Sequence, residues 1–258
     1  MAERSLTVGV LTPHASPGAE IEFPVMTSGR VATVVSRVEP PDSGSAARTG
    51  QPSLQDLRRV SLQPVLDQAA AAFPSGSVDA LAYASTSAGY ALGFEAEVAL
   101  LQRLQERWAL PVSSSCASAV HALHACGIER LAVVHPPWFD DETHELGAAY
   151  FRTQGFDVVA SKADSLPRDP ARARPELVVD WVSRHLSDDA EAVFLGGNGL
   201  RAASAVEPLE RRTGRPVLEA NQVLLWSILA ATQAGLDIGA YGRLLRERRS
   251  PARPAVDT

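Results

Sequence analysis

The stretch "VFLGGNGLR", residues 193–201, decides how this chain is read. A short apolar run enters a glycine-rich turn and is followed by an amphipathic segment, the pattern of a buried strand feeding a helix. At such junctions α/β proteins bind anions or keep a nucleophile. No nucleophilic side chain is present here. Either Gly197 stands where a reactive group has been lost, or the chemistry sits elsewhere.

Working outward, similar apolar runs occupy residues 6–12, 31–38, 79–85, 111–115, 130–135, 156–161, 191–197 and 216–220. Their continuous apolar character predicts strands covered on both faces, as in parallel sheets. Helical spacing lies between them, most plainly at Phe94, Val98, Leu101, Leu104 and Trp108, and again near 140–154, 175–186, 200–212 and 221–235. The alternation predicts an α/β fold with largely parallel sheets, whose ligands gather at the carboxyl ends of the strands. Two Pro-rich segments break the rhythm. Residues 39–53 read as a mobile flap or a disordered connection, and residues 162–176 occupy a comparable place later in the chain.

The chain can be laid on itself. "DALAYASTSAGY" resembles "EAVFLGGNGLRA", setting Ser85 against Gly197 at an offset of 112 residues. "LQERWALPVSSSCASAV" resembles "LERRTGRPVLEANQVLL", setting Cys116 against Asn221 at an offset of 105, and "VGVLTPH" lies against "LAVVHPP", setting Pro13 against Pro136. Three matched strand-to-loop junctions in order predict two pseudo-symmetric halves around a shared cleft. The first half comprises residues 1–115 with 221–246, the second 116–220, and 247–258 form a tail. The predicted cleft lining is 13–20, 85–87 and 114–116 from one half, with 135–141, 196–199 and 219–221 from the other.

Composition narrows the function. The chain has 258 residues, 45% hydrophobic, and a net charge of −6, which argues against a nucleic-acid partner because phosphate-backbone binding needs a concentrated basic surface. The basic "LLRERRSPAR" near the end reads as a solvated helix end and frayed tail. No run of about 18 apolar residues spans a bilayer, and the first residues lack the pattern of a signal peptide. The expected location is the cytoplasm. Two cysteines, Cys116 and Cys126, fall within one apparent helix, too poorly placed to bridge. No metal site is expected, and a homo-oligomer is left open.

The ordered set "YASTS", "CASAVHALHACGIERLAVVHPPWFDDE", "VFLGGNGLR", "RPVLEANQVLLW" and "AYGRLL" resembles the aspartate/glutamate racemase superfamily, in the branch holding maleate cis-trans isomerase and arylmalonate decarboxylase. The resemblance spans roughly residues 6–246. It implies a cofactor-independent enzyme acting on small carboxylates through one or two cysteines at pseudo-symmetric strand ends. Those thiols correspond to Ser85 and Gly197, so both are absent. A serine hydroxyl needs an adjacent base to act, and glycine offers only backbone. The family's thiol mechanisms therefore do not carry over, whereas its carboxylate pocket can.

Candidate residues follow. Ser85, Thr86 and Ser87 precede a helix and bring hydroxyls and N–H groups to one point, as an anion site or simply as a helix cap. Gly197, Asn198 and Gly199 offer backbone and an amide, or a turn with positive dihedrals. Ser16 matches a substrate-binding asparagine of the isomerase branch, and Asn221 matches a family position or acts as an N-cap. His14 and His135 follow strands and are candidate general bases in place of the thiols. Glu219 is a candidate proton acceptor, or a surface ion-pair partner. Cys116 stands at a predicted helix start that would lower its pKa, and Cys126 reads as core. Trp138 suggests an apolar or aromatic substrate group, and Arg201 is a weaker candidate for pairing a carboxylate.

The leading expectation is enolate-type proton transfer on a small carboxylic or dicarboxylic acid: isomerisation, decarboxylation or cyclisation. The alternatives are a non-catalytic carboxylate-binding or partner protein, and a hydrolase-like reaction with Ser85 as nucleophile. A functional site should place a base within hydrogen-bond reach of the anion site, whereas a decayed one should be filled by packed side chains.

Overall fold

Eight parallel strands form two four-stranded sheets in the computed structural model, which describes residues 5–39, 52–62 and 64–247. In chain order the first sheet and its helices are β1 (Leu6–Thr12), α1 (Ala19–Met26), β2 (Val31–Arg37), α2 (Leu54–Ser61), α3 (Val65–Ala71), β3 (Ala80–Tyr83), α4 (Thr86–Leu92), α5 (Phe94–Trp108), β4 (Val112–Ser114) and α6 (Ser115–Ala125). The second comprises β5 (Arg130–His135), α7 (Asp141–Arg152), β6 (Asp157–Lys162), α8 (Pro175–His185), β7 (Ala192–Leu195), α9 (Ala203–Thr213), β8 (Val217–Glu219), α10 (Ala220–Ala231) and α11 (Arg243–Arg246).

The internal repeat extends to the register. The sheets share one strand order, β2-β1-β3-β4 and β6-β5-β7-β8. Leu81 pairs with Val112 as Val193 pairs with Val217, and Val8 pairs with Ala80 as Leu131 pairs with Ala192. This superposition puts Ser85 opposite Gly197 and, one residue beyond the Pro13/Pro136 match, His14 opposite Pro137.

The strands are where continuous apolar runs must be covered twice. β3 and β7 are buried at every residue. A core cluster runs from Val8, Val10 and Phe23 through Tyr90 and Leu123 to Leu131, Phe151 and Phe194, joining the two sheets into one packed body. Local chemistry sets the helix starts. Asp140 caps α7 through the Thr143 N–H, with Asp141 and Glu142 in the first turn. Pro175 opens α8, where its missing N–H costs nothing.

Some predicted boundaries move. Residues 200–212 begin helix only at Ala203, because Asn198–Leu200 form a 3-10 turn that Arg201 ends in the left-handed region, φ 51°. α1, α2 and α3 are short helices inside segments where no helix was predicted. The segment 162–176 contains a 3-10 turn at Pro170–Arg172. Most of the segment 39–53, and the tail from residue 248, lie outside the described residues. Cys126, at the end of α6, is half-buried and packs against the core.

Candidate active site

Residues from both halves meet at the carboxyl ends of the strands. His14 and Ser16 lie on the loop after β1, and Thr86 opens α4. Opposite them stand Trp138 and Phe139 on the β5–α7 loop, Pro170, and Gly197, Asn198 and Gly199 after β7. The space between them opens to solvent and is about 10 Å³, roughly what the centre of one water occupies. Trp138 and the turn at Pro170 are the bulkiest parts of its wall.

Ser85 is the N-cap of α4. Its backbone is extended (φ −159°, ψ 104°), and its Oγ accepts the Ala88 N–H at 3.1 Å. The cap and the functional reading coexist, because the same Oγ lies 2.8 Å from His14 Nε2. Ser87 Oγ is 3.3 Å from that nitrogen and 3.4 Å from Ser85 Oγ. With the Ala88 bond filling one acceptor site, Ser85 keeps its hydroxyl proton free to donate, and the imidazole is the ring nearest to it. Burial, then the Arg37 charge, pull the His14 pKa down to about 4, so the ring is neutral at physiological pH and, in its Nδ1–H tautomer, accepts at Nε2.

The opposite half offers no counterpart. Gly197 has φ +88°, and a Cβ there would meet Pro136 Cγ at 2.8 Å. A side chain is excluded on backbone and steric grounds together, which answers the question posed by the glycine-rich turn. The structure thus has a hydrogen-bonded serine and histidine in one half and a glycine and a proline at the matching positions of the other.

The expected anion donors are already engaged. The Thr86 N–H donates to Asn198 Oδ1 at 3.1 Å, and the Gly197 N–H donates to Thr86 Oγ1 at 3.0 Å. These bonds clasp the two halves together, leaving the Thr86 hydroxyl proton for a ligand. Asn198 Nδ2 donates to Ser115 Oγ and to Asn221 Oδ1, while Asn221 Nδ2 donates to Glu22 Oε2 at 2.6 Å and to the Asn198 carbonyl at 2.9 Å. Asn221 is therefore the second residue of α10 and a link in a buried chain, not the N-cap.

The N-cap is Glu219, which corrects its reading as a surface ion-pair partner or cleft base. It is fully buried, accepts the N–H groups of Asn221 and Gln222, and completes a capping box with Gln222. Burial, then the neighbouring Glu22, hold its pKa well above the carboxylate range, and burial lifts Glu22 to about 7. The pair keeps a proton at neutral pH. Glu22 was missed by the sequence reading, although helical spacing places it with Ala19, Phe23 and Met26 on the buried face of α1. Arg201 lies near this pair, and its charge partly offsets the rise at Glu22.

Two further candidates lie away from the cleft lining. His135, fully buried, contacts His144 Nδ1 at 2.8 Å and Tyr90 Oη at 3.3 Å, and burial lowers its pKa to about 3. Cys116 is buried too, its thiol donating to the Thr86 carbonyl at 3.2 Å. Burial, with Glu97 nearby, raises the Cys116 pKa well above the usual value. The helix start does not activate it, because desolvation of the thiolate outweighs the dipole. Among the described residues no cluster of His, Cys, Asp and Glu is arranged to hold a metal ion, and no helix is long and apolar enough to cross a membrane.

Comparison with known proteins agrees with the architecture. The arylmalonate decarboxylase of Bordetella bronchiseptica is 25% identical over 167 residues, covering 63% of this chain and 69% of that one. The maleate isomerase Iso of Pseudomonas putida S16, solved with maleate, has a TM-score of 0.77 at 22% identity over 93% of this chain and 97% of that one. The Nocardia farcinica maleate cis-trans isomerase bound to Tris gives 0.73 at 24% over 94% and 98%, and unliganded arylmalonate decarboxylase gives 0.72 at 21% over 94% and 99%. At these identities the structural likeness speaks for the fold. The arylmalonate decarboxylase family model matches residues 51–245, most of the chain, and this protein belongs to that family.

Proposed function

We propose that the protein is a lyase or isomerase of small carboxylic acids, working through an enolate-type intermediate without a cofactor. Ser85 and His14 move the proton. The observation that carries this reading is the 2.8 Å contact between His14 Nε2 and Ser85 Oγ, at the strand end where the resemblance places a thiol. It is supported by relatives that are an arylmalonate decarboxylase and maleate isomerases.

The one-sided arrangement favours decarboxylation over racemisation, which needs a second acid/base group on the opposite face. In the proposed sequence the bond between the α-carbon and one carboxylate of a malonate-type acid breaks and CO₂ leaves, its electron pair remaining as an enediolate. Ser85 O–H protonates the α-carbon from its own side, and the alkoxide regains a proton from water through His14. The Thr86 hydroxyl and Ser16 line the same cleft and would face the remaining carboxylate. Trp138 and Phe139 form an aromatic wall suited to an aryl or other apolar substituent.

The test is proton NMR of the purified protein in deuterated buffer with maleate, 2-aryl and 2-alkyl malonates, β-keto acids, aspartate and glutamate. Loss of a carboxylate with deuterium at the α-carbon is the expected result for a malonate, and silence across the panel would contradict it.

A second reading draws on the same contact: Ser85 as a nucleophile with His14 as its base. No G-x-S-x-G elbow surrounds Ser85. A covalent adduct on Ser85, found by mass spectrometry after quenching, would favour this reading over the first.

A further inference from the structure

The loop that presents His14 is tied at both ends. At its start the His14 N–H donates to Thr12 Oγ1 at 3.3 Å. At its far end the Gly18 N–H donates to Glu20 Oε2 at 2.8 Å, and Thr33 Oγ1 on β2 donates to the Glu20 carbonyl at 3.1 Å. The other carboxylate oxygen of Glu20 forms an ion pair with Arg37. Arg37 is the last residue of β2 and the register partner of Thr12, so it starts one strand away from the loop it holds. The next residue, Val38, donates its N–H to the Thr12 carbonyl at 2.9 Å. The Glu20 side chain is only 11% exposed and that of Arg37 35%, so the pair is partly shielded from solvent.

The charge around His14 is sparse. β2 contributes Arg37, and α1 contributes Glu20, which Arg37 neutralises. α4 presents the hydroxyls of Ser85 and Ser87, the β5–α7 loop Trp138 and Phe139, and the far wall Asn198 and Gly199. Asp169 precedes the lining residue Pro170, but its carboxylate is engaged in capping the 3-10 turn. A guanidinium remains charged at every accessible pH, so it opposes protonation of a neighbouring imidazole.

We propose that Arg37, anchored by Glu20, is a positioning residue for His14: the ion pair staples the loop over the ends of β1 and β2, and its cation keeps the imidazole neutral beside the Ser85 hydroxyl. Burial and the Arg37 charge both lower the His14 pKa, in keeping with this role. The catalytic meaning of the proposal rests on His14 being the site base. The positioning itself does not, and it can be tested without turnover.

The experiment is an NMR titration of the His14 Cε1–H between pH 3.5 and 8, the resonance being assigned by its absence in His14→Gln. The variants are Arg37→Gln, Arg37→Lys and Glu20→Gln. Arg37→Gln should raise the midpoint by about half a unit or more. Arg37→Lys should restore it toward wild type, and Glu20→Gln should leave it unchanged or lower, since the cation then stands uncompensated. No movement in Arg37→Gln would overturn the proposal. So would equal upward shifts in Arg37→Gln and Glu20→Gln, which would report loosened packing in place of charge. If the wild type turns over a substrate, the acid limb of kcat/KM should move in Arg37→Gln as the titration does. An inactive wild type with the expected titration would sink the catalytic reading alone.

Discussion

Placing a side chain at Gly197 is the substitution whose cost the structure defines best. Gly197→Ala forces an L-residue into φ +88°, ψ 96°, a conformation costing about 1–3 kcal/mol outside glycine. It also drives a Cβ to 2.8 Å from Pro136 Cγ and 3.1 Å from Cδ, an overpacking worth about 1–3 kcal/mol. Together these predict a loss of about 2–6 kcal/mol, a large part of the roughly 5–15 kcal/mol that stabilises a typical domain. Urea unfolding followed by circular dichroism would read the change as a lower midpoint at unchanged slope. Pro136→Ala removes the atoms met, so the double variant should recover the steric part and retain the conformational part, a coupling that a double-mutant cycle isolates. Gly197→Cys should lose stability similarly and gain no second acid/base group. A Gly197→Ala protein within about 0.5 kcal/mol of wild type would refute the argument.

Other substitutions probe the site and its supports. Ser85→Ala should abolish turnover while costing about 1 kcal/mol of stability through the lost cap, measured by rates beside urea midpoints. Asn221→Leu should destabilise by about 3 kcal/mol or more, because it strands the buried acceptor of Glu22 and a donor of Asn198; a calorimetric scan would read the drop. Glu97 should also make stability fall as pH rises toward neutrality. Burial lifts Glu97 to about 7, so its contribution is full below the ordinary carboxylate range and is lost as pH rises through 7, by up to about 3 kcal/mol. Urea midpoints at pH 5.5 and 8 should therefore differ less in Glu97→Gln than in wild type. On the acid side the lowered pKa values of His14 and His135 act in the opposite sense, withdrawing stability as pH falls below about 6.5.

The sheets were legible in the sequence because buried parallel strands must be continuously apolar, a signal that survives in "LTVGVLT" and "AVFL" alike. The repeat was legible because both halves solve one packing problem with one register. α1 was hidden because its burial pattern includes a glutamate, and a buried acid defeats a reading based on apolar spacing. At the site, Ser85, Thr86 and the glycine turn announced themselves as strand ends. That His14, and not His135, meets Ser85 was not readable. Both histidines stand at strand ends, but His135 closes β5 and faces the aromatic packing of Tyr90 and Phe139, whereas His14 lies two residues beyond β1 on the loop that sets it against Ser85. Glu219 and Cys116 misled for one reason: sequence shows a titratable group near a strand end but not how dry its surroundings are.

The most direct test of the one-sided Ser85–His14 acid/base pair is the stereochemistry of a prochiral disubstituted malonate decarboxylated in D₂O by wild type and by Ser85→Ala. The wild type should give one enantiomer, deuterated at the α-carbon, and Ser85→Ala no turnover. A racemic product, or an undiminished rate in Ser85→Ala, would contradict it.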